Sequence, residues 1–367
     1  MEATLIDIAV ESYSKAVVLK SYLEANGIEC YLKNVNILQG AVSEGVKVQI
    51  RDSDAEKALM LLTQKRHLED SKKLGQLIRK ILVPVDFSVP SQNAARFAVM
   101  LAAKLDAEVK LLHVFNSPVV DMIPFTDVAS IQIDFDMNYN LLYRNAKDKL
   151  SQFYLNLAEF AKQTGAEKVP IGYTLREGYA SYGIIETSKK YKPGIIIMGT
   201  KGEGYRSTEL VGSVANEVSE QTRLPLLVIP EKAVLKGVNE VKNVLYATNF
   251  DETDFVSIRK LLRILSPFNI QLHLVHVSGN PESSVIKAQC RALLDYFSVI
   301  SPNMLVECSV MRDKDVARAF MDVIREKNIS LVALTSIKRS ILYKLFNPSL
   351  SKKMLYQSDV PVLLFHD

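Results

Sequence analysis

Cysteine and histidine are scarce in this sequence, three and five residues respectively out of 367. Cys30, Cys290 and Cys308 are odd in number and widely spaced, so they predict neither a disulfide framework nor a metal knuckle. Four of the histidines lie in or beside apolar, strand-like runs, whereas a zinc site needs three or four converging ligands. No His-x-x-Glu-His, paired-cysteine or Gly-x-Ser-x-Gly pattern occurs, so metal hydrolysis and triad hydrolysis have no support. Excess charge of one sign is also missing. The net charge of +4 is scattered, and Lys72-Lys73 and Lys189-Lys190 read as solvated surface, so no nucleic-acid partner is expected. No apolar run reaches the ~18 residues of a membrane span. Met1-Glu2-Ala3-Thr4, followed by Asp7 and Glu11, lacks the basic start of a signal peptide. No membrane partner and a reducing cytoplasm are therefore the expectation.

Nearly half of the residues are hydrophobic, which is enough for full cores. At ~150 residues per domain, the length predicts two or three domains. One stretch carries a specific chemical meaning. Ile195-Ile196-Ile197 runs into Met198-Gly199, and Gly202 follows three residues after Gly199. After nine intervening residues come Gly212 and Ser213, at the start of a helical pattern. A strand that ends in glycines, loops out and re-enters at a helix suits a phosphate. Glycine admits close backbone approach and positive φ, and a helix N-terminus offers unpaired N–H groups. The Walker A spacing and Gly-x-Gly-x-x-Gly are both absent, which removes the P-loop and dinucleotide readings.

The chain also repeats itself. Residues 81–87 (Ile81 to Phe87) reappear as 244–250, and Leu111-Leu112-His113-Val114 as Leu274-Val275-His276-Val277, both at an offset of 163. Residues 195–200 match 331–336, and 224–230 match 360–366, at an offset of 136. The fall of 27 in offset predicts an insertion in the first copy, placed at 116–142. Each copy alternates apolar runs with amphipathic segments, the pattern of a mostly parallel sheet covered on both faces. In the first copy the predicted strands are 81–85, 109–114, 169–175, 195–199 and 226–229. Helices are predicted over 92–105, 143–164, 183–190 and 213–221. Residues 1–70 differ, reading as a compact β-α-β-β-α unit. The predicted fold class is α/β: two tandem doubly wound, Rossmann-like parallel-sheet domains, at 78–232 and 240–367, preceded by a small α+β domain at 1–70.

On these residues the chain resembles the universal stress protein family as a tandem. The Gly199-x-x-Gly202-x9-Gly212-Ser213 spacing fits the family's nucleotide motif without a gap, after Pro84-Val85-Asp86 and His113-Val114 in the expected order. The N-terminal unit, through 23–28 and 52–57, is similar to a small signal-transducing domain with half of a GlnB-like fold. The resemblance implies an adenine-nucleotide alpha-hydrolase-like sheet and ATP binding, with Mg2+ as a companion and AMP or ADP as substitutes. By position, Asp86 would sit by the ribose or adenine beside Pro84 and Val85, and Val114 would meet the adenine edge. Met198 and Gly199 would flank the nucleoside and α-phosphate. Gly202, Gly212, Ser213 and Val214 would hold phosphates by N–H groups, and Lys201 would neutralise their charge. Asp86 as a mere helix cap is the competing reading, and an exposed lysine is the competing reading of Lys201.

The second copy departs at these positions: Asn249 for Asp86, Thr335 for Gly199, Lys338 for Gly202 and Pro348-Ser349 for Gly212-Ser213. Proline has no N–H to donate, so the second copy is expected to keep the fold without binding ATP in the same way. Because family members pair their last strands, 224–229 and 360–365 are expected to pair within the chain, with a homo-dimer left open. The function expected is nucleotide-dependent stress signalling with no catalytic residue assigned. A slow ATPase, a scaffold with an AMP-filled or empty pocket and an adenylating enzyme remain as alternatives.

Overall fold

A computed structural model describes residues 5–11, 13–34, 46–62, 78–116, 128–200, 212–233, 241–250, 252–300, 304–312, 316–336 and 360–366. Two compact units emerge, residues 1–76 with 272–314, and residues 77–271 with 315–367. The chain is α/β, with a large, mostly parallel sheet and a small antiparallel one near the N-terminus. No described helix is long and apolar enough to cross a membrane.

In the first unit, strands β1 (Leu5–Glu11), β2 (Cys30–Asn34) and β3 (Val46–Arg51) form an antiparallel sheet in the order β1-β3-β2. Helices α1 (Tyr13–Ala25) and α2 (55–62) supply Ala16, Leu23, Ala58 and Leu62 to a core shared with Val48 and Ile50. Gly27, at φ +77, makes the left-handed turn between α1 and β2 that a side chain would strain.

In the second unit, five strands follow one another through helices. They are β4 (Lys80–Pro84), β5 (Glu108–Phe115), β6 (Ile171–Glu177), β7 (Ile195–Gly199) and β8 (Leu226–Ile229). In the sheet they lie in the order β6-β5-β4-β7-β8. The connecting helices are α3 (Val89–Leu105), α4 (Val128–Gln163), α5 (Ala180–Tyr191) and α6 (Ser213–Gln221). Strands β4 and β7 are buried along almost their whole length, as expected of strands covered on both faces. Helix α4 starts at Val128, well before the predicted Tyr143. Part of the expected insertion is therefore helix, and no proline or glycine interrupts residues 125–164.

The later segment places β9 (Asn243–Ala247), α7 (Glu252–Leu265), α9 (Val316–Glu326), β12 (Leu331–Ser336) and β13 (Val362–His366) in the same unit. Its strands run β9-β12-β13, and β13 then pairs with β8. That last pairing is antiparallel, Val362 opposite Val228, Leu363 opposite Leu227 and Leu364 opposite Leu226. It covers two edges that an isolated sheet would expose. Strands β10 (Gln271–Val277) and β11 (Leu305–Met311), with α8 (Ser284–Ile300) between them, fall largely in the first unit.

His366, closing β13, gives this edge a pH dependence. Burial holds its imidazole down at about 4, with Lys260 adding repulsion, and its Nε2 has no hydrogen-bond partner among the described residues. The unfolded chain, titrating near the usual ~6.5, therefore binds the proton more readily than the folded one. Stability is expected to be full above ~6.5 and to fall as the pH drops towards 4, by about 2 kcal/mol after discounting for solvent reach. Urea unfolding of wild type and His366→Asn at pH 7 and pH 4.5 checks this. Equal pH sensitivity in both would refute it.

Candidate functional site

A cleft of about 250 Å³ opens where the chain leaves β4, β5 and β7. From β4 the chain turns back through α3 to β5 on one side, whereas β7 lies on the other. This is the topological switch point at which open α/β sheets bind ligands. Pro84, Val85 and Asp86 line the cleft from β4, Leu112 and Val114 from β5, and Met198, Gly199 and Thr200 from β7. Gly212, Ser213, Val214 and Ala215 reach it from the start of α6. Nine of the eleven residues expected at the site thus meet around one cavity, while Lys201 and Gly202 lie outside the described residues.

The β4–α3 turn fixes the cleft floor. Phe87 adopts φ +70, unusual for a residue with a bulky side chain. Its ring lies 4.4 Å from that of His113, whose Nδ1 is 2.8 Å from the Val85 carbonyl oxygen. Burial lowers the pKa of His113, which favours the neutral ring. Asp86 accepts from the Ser88 amide at 3.2 Å and the Ser88 hydroxyl at 2.5 Å. The N-cap of α3 is Ser88, which accepts from the Ser91 amide, so Asp86 lines the cleft while holding the capping residue rather than capping directly.

Gly199 is where this site admits no side chain. A Cβ there would stand 2.7 Å from Pro90 Cβ and 2.8 Å from both the Pro90 carbonyl carbon and the Ser91 nitrogen. The start of α3 therefore presses against the end of β7. Among the described glycines, positive φ occurs at Gly27, Gly165 and Gly178, so neither Gly199 nor Gly212 needs the left-handed region that the sequence argument allowed them. Gly212 instead sits in extended backbone as the N-cap of α6 and donates its N–H to the Thr200 carbonyl. The N–H groups left at this helix start are those of the first turn, which have no intrahelical acceptor and give the cleft a positive dipole end.

Sequence reasoning missed the wall made by α5, through Ala180 and Ile184. Gly183 allows it, because a Cβ there would meet Val114 Cγ2 at 2.8 Å. The signal was present as Gly178 and Gly183 bracketing the helix start, but its meaning depends on a strand some 70 residues earlier.

The equivalent place in the later segment is built differently. Phe250 repeats the positive φ of Phe87, at +62. Asp254, almost fully buried, stands at the Ser91 position. Its carboxylate accepts from the Tyr246 hydroxyl at 2.9 Å, the Thr248 hydroxyl at 2.8 Å and the Asn249 amide at 2.8 Å. The Tyr246 hydroxyl is also 2.6 Å from Thr335 Oγ1, the residue at the Gly199 position. Burial, with Asp254 beside it, pushes the Tyr246 phenol well up. A polar network around a buried carboxyl group occupies this end of the sheet. Lys338 and Pro348-Ser349 lie outside the described residues.

Two family models match the chain: "Universal stress protein family" over residues 77–230 and "Putative prokaryotic signal transducing protein" over residues 9–66. A universal stress protein of Methanocaldococcus jannaschii, MJ0531, is 29% identical over 175 residues, 47% of this chain and 95% of its own length. YxiE of Bacillus subtilis is 27% identical over 154 residues, 42% of this chain and 99% of its own. The crystal structure of a universal stress protein from Archaeoglobus fulgidus covers 78% of this chain and 96% of its own, with a TM-score of 0.57 at 18% identity. That likeness extends the fold beyond the matched segment. By its strand order, its switch-point cleft and the match over residues 77–230, the chain carries a universal stress protein family domain, preceded by a domain of the signal-transducing type.

Proposed function

We propose that residues 78–232 bind an adenine nucleotide, ATP first among them, and that the chain acts in nucleotide-dependent stress signalling in the cytoplasm. Residues 240–367 form, on this reading, a second copy of the domain that binds no ATP, and residues 1–70 a separate small domain. The observation that carries the reading is Gly199, whose missing side chain brings α3, β7 and the α6 start around one cleft. The adenosine would lie against Val114, Met198 and the α5 wall, with Asp86 towards the ribose. The first-turn N–H groups of Ser213 and Val214 would face phosphate, with the Ser213 hydroxyl as a further donor. Asp86 is the one carboxylate among the described lining residues, so an accompanying Mg2+ would be held chiefly by the phosphates.

A second reading, an interaction protein whose cleft takes AMP, draws on two features. The Gly212 N–H is already given to Thr200, and the cavity is small for a triphosphate. Isothermal titration of the full chain with ATP plus magnesium, and separately with AMP, distinguishes the two. One ATP per chain is expected, and two equivalent sites would overturn the asymmetry between the copies. Gly212→Val, placed where the described cleft is lined, is expected to weaken binding on the order of tenfold or more, each factor of ten being about 1.4 kcal/mol. Equal binding by wild type and variant would mean the site is elsewhere.

A further inference from the structure

The structure joins Cys290 to Cys308 in a disulfide, where the spacing of three scattered cysteines predicted none. The pairing depends on α8 folding back along β11, which brings the two Cα atoms to 5.9 Å and which spacing along the chain does not encode. The two sulfurs sit in a particular setting. Both cysteines are half-buried, whereas Cys30 is sealed in the core of the N-terminal sheet. Burial pushes the Cys30 thiol up to about 11, which keeps it protonated and unreactive.

Helix α8 also carries the contacts to the N-terminal part of the same unit. Ser284 donates to Asp52 at 2.7 Å, and Arg291, the neighbour of Cys290, pairs with Glu56 at the start of α2. Residues 284 and 291 are seven apart and share a helix face. One helix is therefore tied to β11 by a cross-link and to the 52–62 segment by polar contacts. Both contacts are solvent-exposed, so each is weak alone and depends on α8 being held in place.

We propose that Cys290 and Cys308 are a reversible thiol–disulfide site whose oxidation state sets how firmly α8 holds the N-terminal module. In the reducing direction a small dithiol attacks the disulfide, and one of its sulfurs forms a mixed disulfide as the Cys290–Cys308 bond breaks. Its second thiolate then closes on the first. The dithiol leaves as a cyclic disulfide, and both cysteines become thiols. In the oxidising direction a small-molecule disulfide accepts the two electrons and is released as two thiols. An 18-residue separation makes the cross-link a real restraint on the segment it closes.

The test uses the full chain incubated with oxidised glutathione or with dithiothreitol and needs no nucleotide, so its outcome is separable from that of the cleft. Thiol counting under denaturing conditions is expected to give one free thiol after oxidation and three after reduction with dithiothreitol. Hydrogen exchange is expected to accelerate on reduction, on the order of tenfold over 284–300 and measurably over 46–62. In hydrogen exchange, Cys290→Ser and Cys308→Ser should match the reduced protein under both conditions, while Cys30→Ser should behave as wild type. Three free thiols after oxidation would overturn the proposal. So would a reduction that changes 284–300 yet leaves 46–62 untouched.

Discussion

Gly199→Ala is expected to weaken nucleotide binding on the order of a hundredfold and to lower unfolding stability by about 1–3 kcal/mol. A methyl group at this position has nowhere to go. Two of the three atoms it meets are backbone, at 2.8 Å, so no side-chain rotation relieves the clash. The start of α3 must move away from β7, and Asp86 with its partner Ser88 belongs to the turn that moves. The seat for the ligand and the packing at the switch point are thus lost together. Titration with ATP reads the first effect and urea unfolding the second. An alanine variant that binds as tightly as wild type would show that the cleft at Gly199 is not where the ligand sits, whatever its stability.

In the later segment, Asp254→Ala is expected to cost about 3 kcal/mol, because it removes one acceptor from the buried Tyr246 and Thr248 hydroxyls and from the Asn249 amide at once. The Asn249 amide and the Thr248 hydroxyl lose the acceptor they share, and Tyr246 loses one of its partners while keeping Thr335 and Ser257. Asp254→Asn retains one acceptor oxygen and a similar shape, so a loss nearer 1–2 kcal/mol is expected. Ser91→Ala, at the matching position of the first segment, removes only a hydroxyl bonded to the Ser88 carbonyl and should cost less than either. Denaturation midpoints followed by far-ultraviolet circular dichroism rank the three. If Asp254→Ala unfolds with wild type, the network is decoration and not a reason for this end of the sheet to differ from the nucleotide cleft.

That contrast makes the asymmetry between the two segments physical. Their turns share the same left-handed phenylalanine, at Phe87 and Phe250. One then leaves a cleft beside a glycine, and the other encloses a carboxyl group bonded to Tyr246 and Thr248, with Thr335 bonded to the same tyrosine.

The order of strands and helices was legible because it is written in local periodicity. The runs at 81–85, 195–199 and 226–229 are apolar throughout, and α6 was predicted over the residues it occupies, Ser213–Gln221. The offset matches likewise singled out the last strands of the two segments, which pair through Val228 and Val362. The position of the cleft follows from the order of the strands within the sheet, which the structure supplied. What the sequence could not decide were contacts between residues far apart along the chain. Gly199 serves close approach to Pro90, not a left-handed turn, and only the packed pair reveals which. Asp254 reads locally as an ordinary first-turn aspartate, and its role exists only once Thr335 is brought beside Tyr246. Cys290 and Cys308, unremarkable in spacing, become partners when α8 folds back along β11. Periodicity is a property of neighbouring residues, so it fixes elements. Close approach, buried charge and cross-linking are properties of pairs, and here the tertiary structure chose the pairs.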